Sequence, residues 1–219
     1  NYTGTDDQKI NKAFTAALKE DGSTVDFTGF KGHWTKDFVY GQGDPYVSLH
    51  IVGSKNWTNV TYTGSGTPLT VWNWKDGSMR QFSMRRLASS SAPDSVGVRI
   101  VTDGSSSRNK IDECRFQGFG TGMVLEAPPG IDMCRFDIIS SEFYECQTGL
   151  KVIGSNNLGV FSQRTMGSYC KAVFDFTEGG SGSILDYCGG SYNDVFVRLN
   201  GGYNFRSNGC ETEDNGVIY

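Results

Sequence analysis

The sequence predicts an all-β chain folded as a single-stranded parallel β-helix, with one capping α-helix at its N-terminus. Three observations predict it. First, a Gly or small residue followed by alternating apolar residues recurs across 97–219, as Gly97-Val98-Arg99-Ile100, Gly122-Met123-Val124-Leu125, Gly149-Leu150-Lys151-Val152, Ala172-Val173-Phe174, Asp194-Val195-Phe196-Val197 and Gly216-Val217-Ile218-Tyr219. The first residues of these copies lie 25, 27, 23, 22 and 22 apart. A period of about 20 to 30 residues, alternating at period two, marks a solenoid whose turns each lay down short strands. Second, glycine is abundant (29) and proline scarce (5), and Ser, Thr and Asn crowd the segments between apolar runs, as tight turns between many short strands require. Third, helical periodicity is found at the start of the chain, where a solenoid needs a plug.

In chain order, Thr5-Asp6-Asp7-Gln8 fits a capping box, and Ile10, Ala13, Phe14, Ala17 and Leu18 follow on one helical face that ends near Gly22. A helix laid over the first coil would cover an edge that otherwise invites pairing. The expected division is therefore a capping segment over 1–22 and a β-helix over 23–219. The sequence stops directly after a strand, so the stack is expected to continue past Tyr219. Ser23-Thr24-Val25-Asp26-Phe27, Val47-Ser48-Leu49-His50-Ile51 and Val60-Thr61-Tyr62 alternate and are bounded by Gly-containing turns, which makes them strands of the first coils. Residues 88–95, 103–107 and 127–130 read as loops leaving the stack, and Gly118-Phe119-Gly120-Thr121-Gly122 as an interstrand turn rather than a phosphate loop, since no helix follows it.

Gly4-Thr5-Asp6-Asp7, the helix with Ala16-Ala17, Gly22-Ser23-Thr24-Val25-Asp26-Phe27 and Leu49-His50-Ile51-Val52-Gly53 together resemble the opening of the pectate-lyase-like superfamily of right-handed parallel β-helices. That superfamily includes many phage tailspikes and polysaccharide depolymerases. The resemblance covers roughly residues 4–70 by motif and the rest by periodicity. It departs from the pattern at Thr28-Gly29-Phe30-Lys31-Gly32, where a Pro-Pro-Gly-x-Tyr turn often stands. The Gly-His-Gly and paired-Asp motifs of polygalacturonases are absent, as is the acidic calcium cluster of pectate lyases. The resemblance thus implies a tailspike or tail-fibre type, a homotrimer, a virion tail or extracellular location, and contact with other virion tail proteins.

Composition narrows the partners. The formal charge is -4 and no basic run exceeds Arg85-Arg86, so nucleic acid is not expected. No apolar run approaches the roughly 18 residues of a membrane span, so membrane insertion is not expected either. Six cysteines could form disulfides in an exported protein. Instead Cys188 and Cys210 stand seven before Val195 and Val217, where Phe143 and Phe116 stand seven before Leu150 and Met123. A position shared by Cys and Phe reads as an inward stack of reduced thiols. No Cys-x-x-Cys occurs, and no metal or other cofactor is expected.

Equivalent residues of successive coils lie about 4.8 Å apart, so neighbouring coils can set carboxylates at the separations that glycosidases use. Glu142 is eight before Leu150, while Arg164 and Asp186 are nine before Val173 and Val195. These three are the expected catalytic row, with Glu142 and Asp186 two coils or about 9 to 10 Å apart, as an inverting acid and base would need. Solvated charge on a sheet face is the plainer account of the same spacing. Glu211, Glu213 and Asp214 form a second acidic group, which reads as a solvated turn. Trp57, Trp72 and Trp74 are the expected sugar-stacking residues, since Trp72 and Trp74 alternate onto one side; inward packing competes with that role. Arg80, Arg85 and Arg86 would meet an acidic polysaccharide or only keep the surface soluble. Asn193 and Asn215 stand at one turn position of two coils, the start of an asparagine ladder.

The function expected from the sequence is binding, and in some members cleavage, of a bacterial surface polysaccharide by a tailspike-like β-helix. The alternatives are a purely structural or adhesive virion β-helix and a secreted polysaccharide lyase.

Overall fold

The computed structural model describes residues 3–54, 60–87, 92–104, 106–128, 131, 133–154, 157–199 and 204–213, excluding the side chains of 106, 107, 133, 134, 157 and 158. Trp57, Asp214, Asn215 and the repeat copy at 216–219 lie outside the described residues. Among the described residues three parallel sheets form, two of 8 strands and one of 7, and each strand pairs with the strand three elements further on. That pattern is a solenoid: every coil contributes one strand to each sheet, in the order sheet 1, sheet 2, sheet 3. All the ladders between them are parallel, so the fold is a parallel β-helix, as the repeat predicts.

The chain opens with α1 (Asp6–Ala17), whose capping box joins Thr5 and Gln8 as expected. Ile10, Phe14 and Ala17 face the first coil and are buried. Phe14 stacks on Tyr40 at 4.4 Å between ring centroids and lies 6.3 Å from Trp34. Beyond capping its own helix, the acidic first turn closes the sheet edge. Asp6 Oδ2 accepts from His33 N at 3.0 Å and Asp7 Oδ1 from Thr35 N at 2.9 Å, in and beside the first strand of sheet 2, Gly32–Trp34. A buried or pairing-prone N–H left without an acceptor is costly, which gives Gly4-Thr5-Asp6-Asp7 its physical reason.

Sheet 2 is joined to its neighbours by very short corners. Between sheets 1 and 2, from the third coil to the eighth, one residue per coil takes a left-handed backbone: Gln81 (φ 52), Glu113 (53), Ser140 (48), Arg164 (50), Tyr187 (50) and Gly209 (56). Between sheets 2 and 3 the same place is held by Gly118 (77), Glu145 (54), Tyr169 (57) and Tyr192 (58). This conformation costs an L-residue about 1 kcal/mol or more, and the next residue repays it by turning inward. In the first corner that residue is Phe82, Cys114, Ser141, Thr165, Cys188 or Cys210. Ser141 Oγ donates to Ile139 O at 3.0 Å, Thr165 Oγ1 to Ile138 O at 3.2 Å, Cys114 Sγ to Met79 O at 3.4 Å and Cys188 Sγ to Ser162 O at 3.3 Å. In the second corner Cys146 and Cys170 donate to Phe116 O and Phe143 O, and Asn193 Nδ2 to Gly167 O at 2.9 Å.

The cysteine reading therefore divides. Cys114, Cys146, Cys170, Cys188 and Cys210 are free thiols and all but Cys210 are buried, as expected. They do share columns with phenylalanines, though not with Phe116 and Phe143: Phe82 stands in the place of Cys114 in the first corner and Phe119 in that of Cys146 in the second. Phe116 and Phe143 pair with each other, then with Gly167 and Gly190, inside sheet 2, whereas Cys188 follows Cys114, Ser141 and Thr165 at the corner. Beyond Phe82 and Phe119 both columns hold small side chains with a hydrogen to donate. Asn193 meets the same demand, and Cys170 N donates to its Oδ1 at 2.8 Å.

The repeat interval also needs correction in the later coils. Leu150 pairs with Phe174 and Phe174 with Val197, so Val173 and Val195 are not the equivalents of Leu150. The copies at Ala172 and Asp194 were aligned by their apolar pattern, and the true register is later by one residue and then two. The same ladder carries a register shift between Lys151 and Ile153.

Candidate functional site

The short strands of sheet 2 have one inward residue between two outward ones. One outward column runs Ser83, Arg115, Glu142, Met166, Gly189, Glu211, and the other Arg85, Gln117, Tyr144, Ser168, Ser191, Glu213. Left-handed corners border both columns and throw their side chains outward. Where the corner residue is aromatic, the face becomes a trough.

Its clearest section is the coil holding Gly189–Ser191. Tyr187 stands at one corner, 66% exposed, and Tyr192 at the other, 57% exposed. Between them Gly189, Gly190 and Ser191 present no side chain larger than a hydroxyl. Five residues of extended chain span at most about 17 Å, which bounds the separation of the two tyrosines' Cα atoms. Beneath this floor the inward column turns to glycine because the core has no room to give. A Cβ on Gly167 would lie 2.3 Å from Val173 Cγ1, and one on Gly190 would lie 2.4 Å from Gly167 O.

Tyr192 continues down the second corner as an aromatic ladder. Its ring is 5.1 Å from that of Tyr169 and inclined by only 13°, and Tyr169 meets Tyr144 edge-on at 5.5 Å. Near-parallel rings at that centroid distance are offset, and Tyr169 remains 53% exposed. Arg115 lies over the last ring, its guanidinium 4.9 Å from the Tyr144 centroid. The face thus offers aromatic surface, hydroxyls and charge along several coils.

The trough leads into a groove of about 280 Å³ at the corner of sheets 1 and 2, lined by Gln81, Ser83, Glu113, Cys114, Arg115 and Glu142 among others. Arg115 Nε is 3.3 Å from Glu142 Oε2. Gln81 Nε2 donates to Glu113 Oε2 at 2.8 Å, and Gln117 Nε2 to Glu145 Oε2 at 2.9 Å. Burial pushes the Cys114 thiol up to about 12, so it stays protonated at neutral pH and cannot serve as a nucleophile there. Among the described residues no group of three or more His, Cys, Asp or Glu is placed to hold a metal ion, and no helix is long and apolar enough to cross a membrane.

The expected catalytic row does not form. Glu142 opens the strand Glu142–Tyr144 of sheet 2 and pairs with Arg115 and Met166. Arg164 is the left-handed residue of the first corner. Asp186 closes the strand Ile184–Asp186 of sheet 1, pairs with Gln163 and Asn208, and accepts from Gln163 Nε2 at 3.1 Å. The three belong to three columns because the count began from Val173 and Val195. Counting from Phe174 and Val197 places Met166 and Gly189 in line with Glu142.

The tryptophans need a similar correction. Trp74 is fully buried, with Nε1 donating to Leu49 O at 2.9 Å and its ring 6.5 Å from Phe136. It cannot stack on a sugar. Strict alternation fails because Asn73, at φ 51, reverses the side on which the next residue emerges. Trp72 is half-buried on sheet 3, away from the trough, and Trp57 lies outside the described residues. Arg80 and Arg85 are exposed, whereas Arg86 is buried with Nε donating to Gly64 O at 3.2 Å. Glu211 and Glu213 are exposed in the strand Glu211–Glu213, at the end of the trough's own columns.

The aromatic residues of the trough were missed by sequence reasoning, although a signal existed. Tyr169 and Tyr192 are separated by one coil interval and each directly follows a short strand. The tryptophans drew attention because of residue type, while position relative to the corner decides exposure.

No protein-family model matches this sequence, and no curated protein matches it. Among solved structures the chain is similar to the A-module of the mannuronan C-5 epimerase of Azotobacter vinelandii, at 12% identity, covering 99% of this chain and 92% of that one, with a TM-score of 0.44. The fold of this chain stands on its own strand register.

Proposed function

We propose that this β-helix binds an extended polysaccharide along the outer face of sheet 2. The observation that carries the reading is the solvent-facing ladder of Tyr169 and Tyr192, set beside a flat floor and opposite Tyr187. Aromatic faces with a polar tip match the apolar face and hydroxyl rim of a pyranose, and a repeating coil suits a repeating ligand. A trough running along the solenoid can hold several sugars of one chain, so weak contacts add up without a deep pocket.

Affinity electrophoresis through gels containing bacterial surface glycans tests this. The double substitution Tyr169→Ala with Tyr192→Ala is expected to weaken retardation at least about tenfold, since removing aromatic anchors costs more than 1.4 kcal/mol, while the circular dichroism spectrum stays unchanged. Retardation equal to that of the parent would remove the tyrosines from the site.

A second reading, hydrolysis, is favoured by the groove lined by Glu113 and Glu142, in which Arg115 pairs with Glu142. Here Glu142 keeps the acid or base role expected of it, and Glu113 replaces Asp186 as its partner, because Asp186 faces out from another sheet. Oligosaccharide release that stops in Glu142→Gln, with glycan binding retained, is the expected result. The phage tail setting, the trimer and the virion location rest on the resemblance of the N-terminal motifs and belong to this proposal; light scattering of the purified chain measures the oligomer.

A further inference from the structure

We infer that the glycan this face takes is uncharged, and that polyuronates are poor ligands. The inference rests on the proposed role of the sheet 2 face and specifies its substrate class. The argument is one of charge and hydrogen-bond polarity around the tyrosines.

Glu145 occupies the corner position immediately below Tyr169, and Glu211 and Glu213 continue the two outward columns immediately above Gly189 and Ser191. All three are exposed. On the same face Arg115 is engaged by Glu142 at 3.3 Å, and Arg164 stands at the far corner. The charged groups bordering the aromatic ladder are therefore mainly carboxylates, with Glu145 accepting from Gln117 at 2.9 Å, Asp194 exposed two residues past Tyr192 and Lys171 an exposed cation two residues past Tyr169. Ionised carboxylates only accept hydrogen bonds. Hydroxyl-rich neutral sugars supply the donors they need. A polyuronate brings an acceptor and a negative charge with every residue, repeated at a spacing comparable with the coil rise, and meets like charge along the trough. Ser168 and Ser191, the hydroxyl-bearing floor residues beside the ladder, can donate or accept and do not reverse this preference.

The decisive experiment measures binding of the full chain to a neutral glucan and to alginate by affinity electrophoresis and calorimetry at low and at moderate salt. The parent is expected to bind the neutral glucan at least about tenfold more tightly than alginate at low salt, with the gap narrowing as salt screens the repulsion. The variant Glu211→Gln with Glu213→Gln is expected to gain affinity for alginate, so that the ratio of glucan to alginate affinity falls. Tighter binding to alginate that is lost on replacing Tyr169 and Tyr192 would overturn this inference while leaving the site in place. Absence of binding to any glycan, or tyrosine-dependent self-association seen by light scattering, would overturn both.

Discussion

A single inward side chain sets each corner of sheet 2, and its chemistry is narrow. Beyond Phe82 and Phe119 it is small and donates to a carbonyl of its own coil or of the coil before, as Ser141, Thr165 and Asn193 do. A thiol is the weakest donor that still fits. Cys188→Ser is therefore expected to leave the melting temperature near that of the parent, while Cys188→Ala loses about 1 kcal/mol through the unmade bond; thermal denaturation measures both. Burial raises the pKa of Cys188 as it does that of Cys114, so neither ionises at pH 8. Alkylation at that pH, mapped by mass spectrometry, is expected to leave both unmodified until denaturant is added. Inward burial of these thiols could be read from the chain itself, because cysteine recurs at the coil interval. Their equivalence to Ser and Thr could not, since it depends on a register off by one or two residues in the later coils.

At the scale of elements, α1 illustrates how a short motif serves two structures. Thr5 and Gln8 close the helix on itself, while Asp6 and Asp7 terminate the first strand of sheet 2. Phe14→Ala would open a cavity among Phe27, Trp34 and Tyr40 and is expected to cost about 3 to 5 kcal/mol by chemical denaturation. Asp7→Ala leaves the Thr35 N–H without its acceptor and is expected to cost about 1 to 3 kcal/mol. The helix, its capping box and the strand at 23–26 were legible because local periodicity and caps are written within a few residues. The trough was not, because it joins Tyr187 to Tyr192 across a corner whose direction no local pattern records.

Across the whole molecule, each coil is held by the two beside it, so stability is transmitted along a line. Aromatics fill the early coils, from Phe27 and Trp34 through Phe82 to Phe116 and Phe143. The strands Arg206–Asn208 and Glu211–Glu213 are exposed throughout. Amide exchange is therefore expected to be slowest in 98–152 and fastest in 206–213, with the interior coils protected together; equal protection of the two segments would contradict this gradient. The architecture was the most legible feature of all, because a period repeated over many coils survives local misalignment. The catalytic row failed for the opposite reason, since a column of side chains tolerates no error in register. The corners carry one more implication. Their inward residue fixes the bend, and their outward residue ranges over Gln81, Glu113, Ser140, Arg164 and Tyr187 with one backbone conformation. Such a position is a socket for interchangeable surface chemistry: mutation can respecify what the solenoid touches, coil by coil, without disturbing the packing beneath.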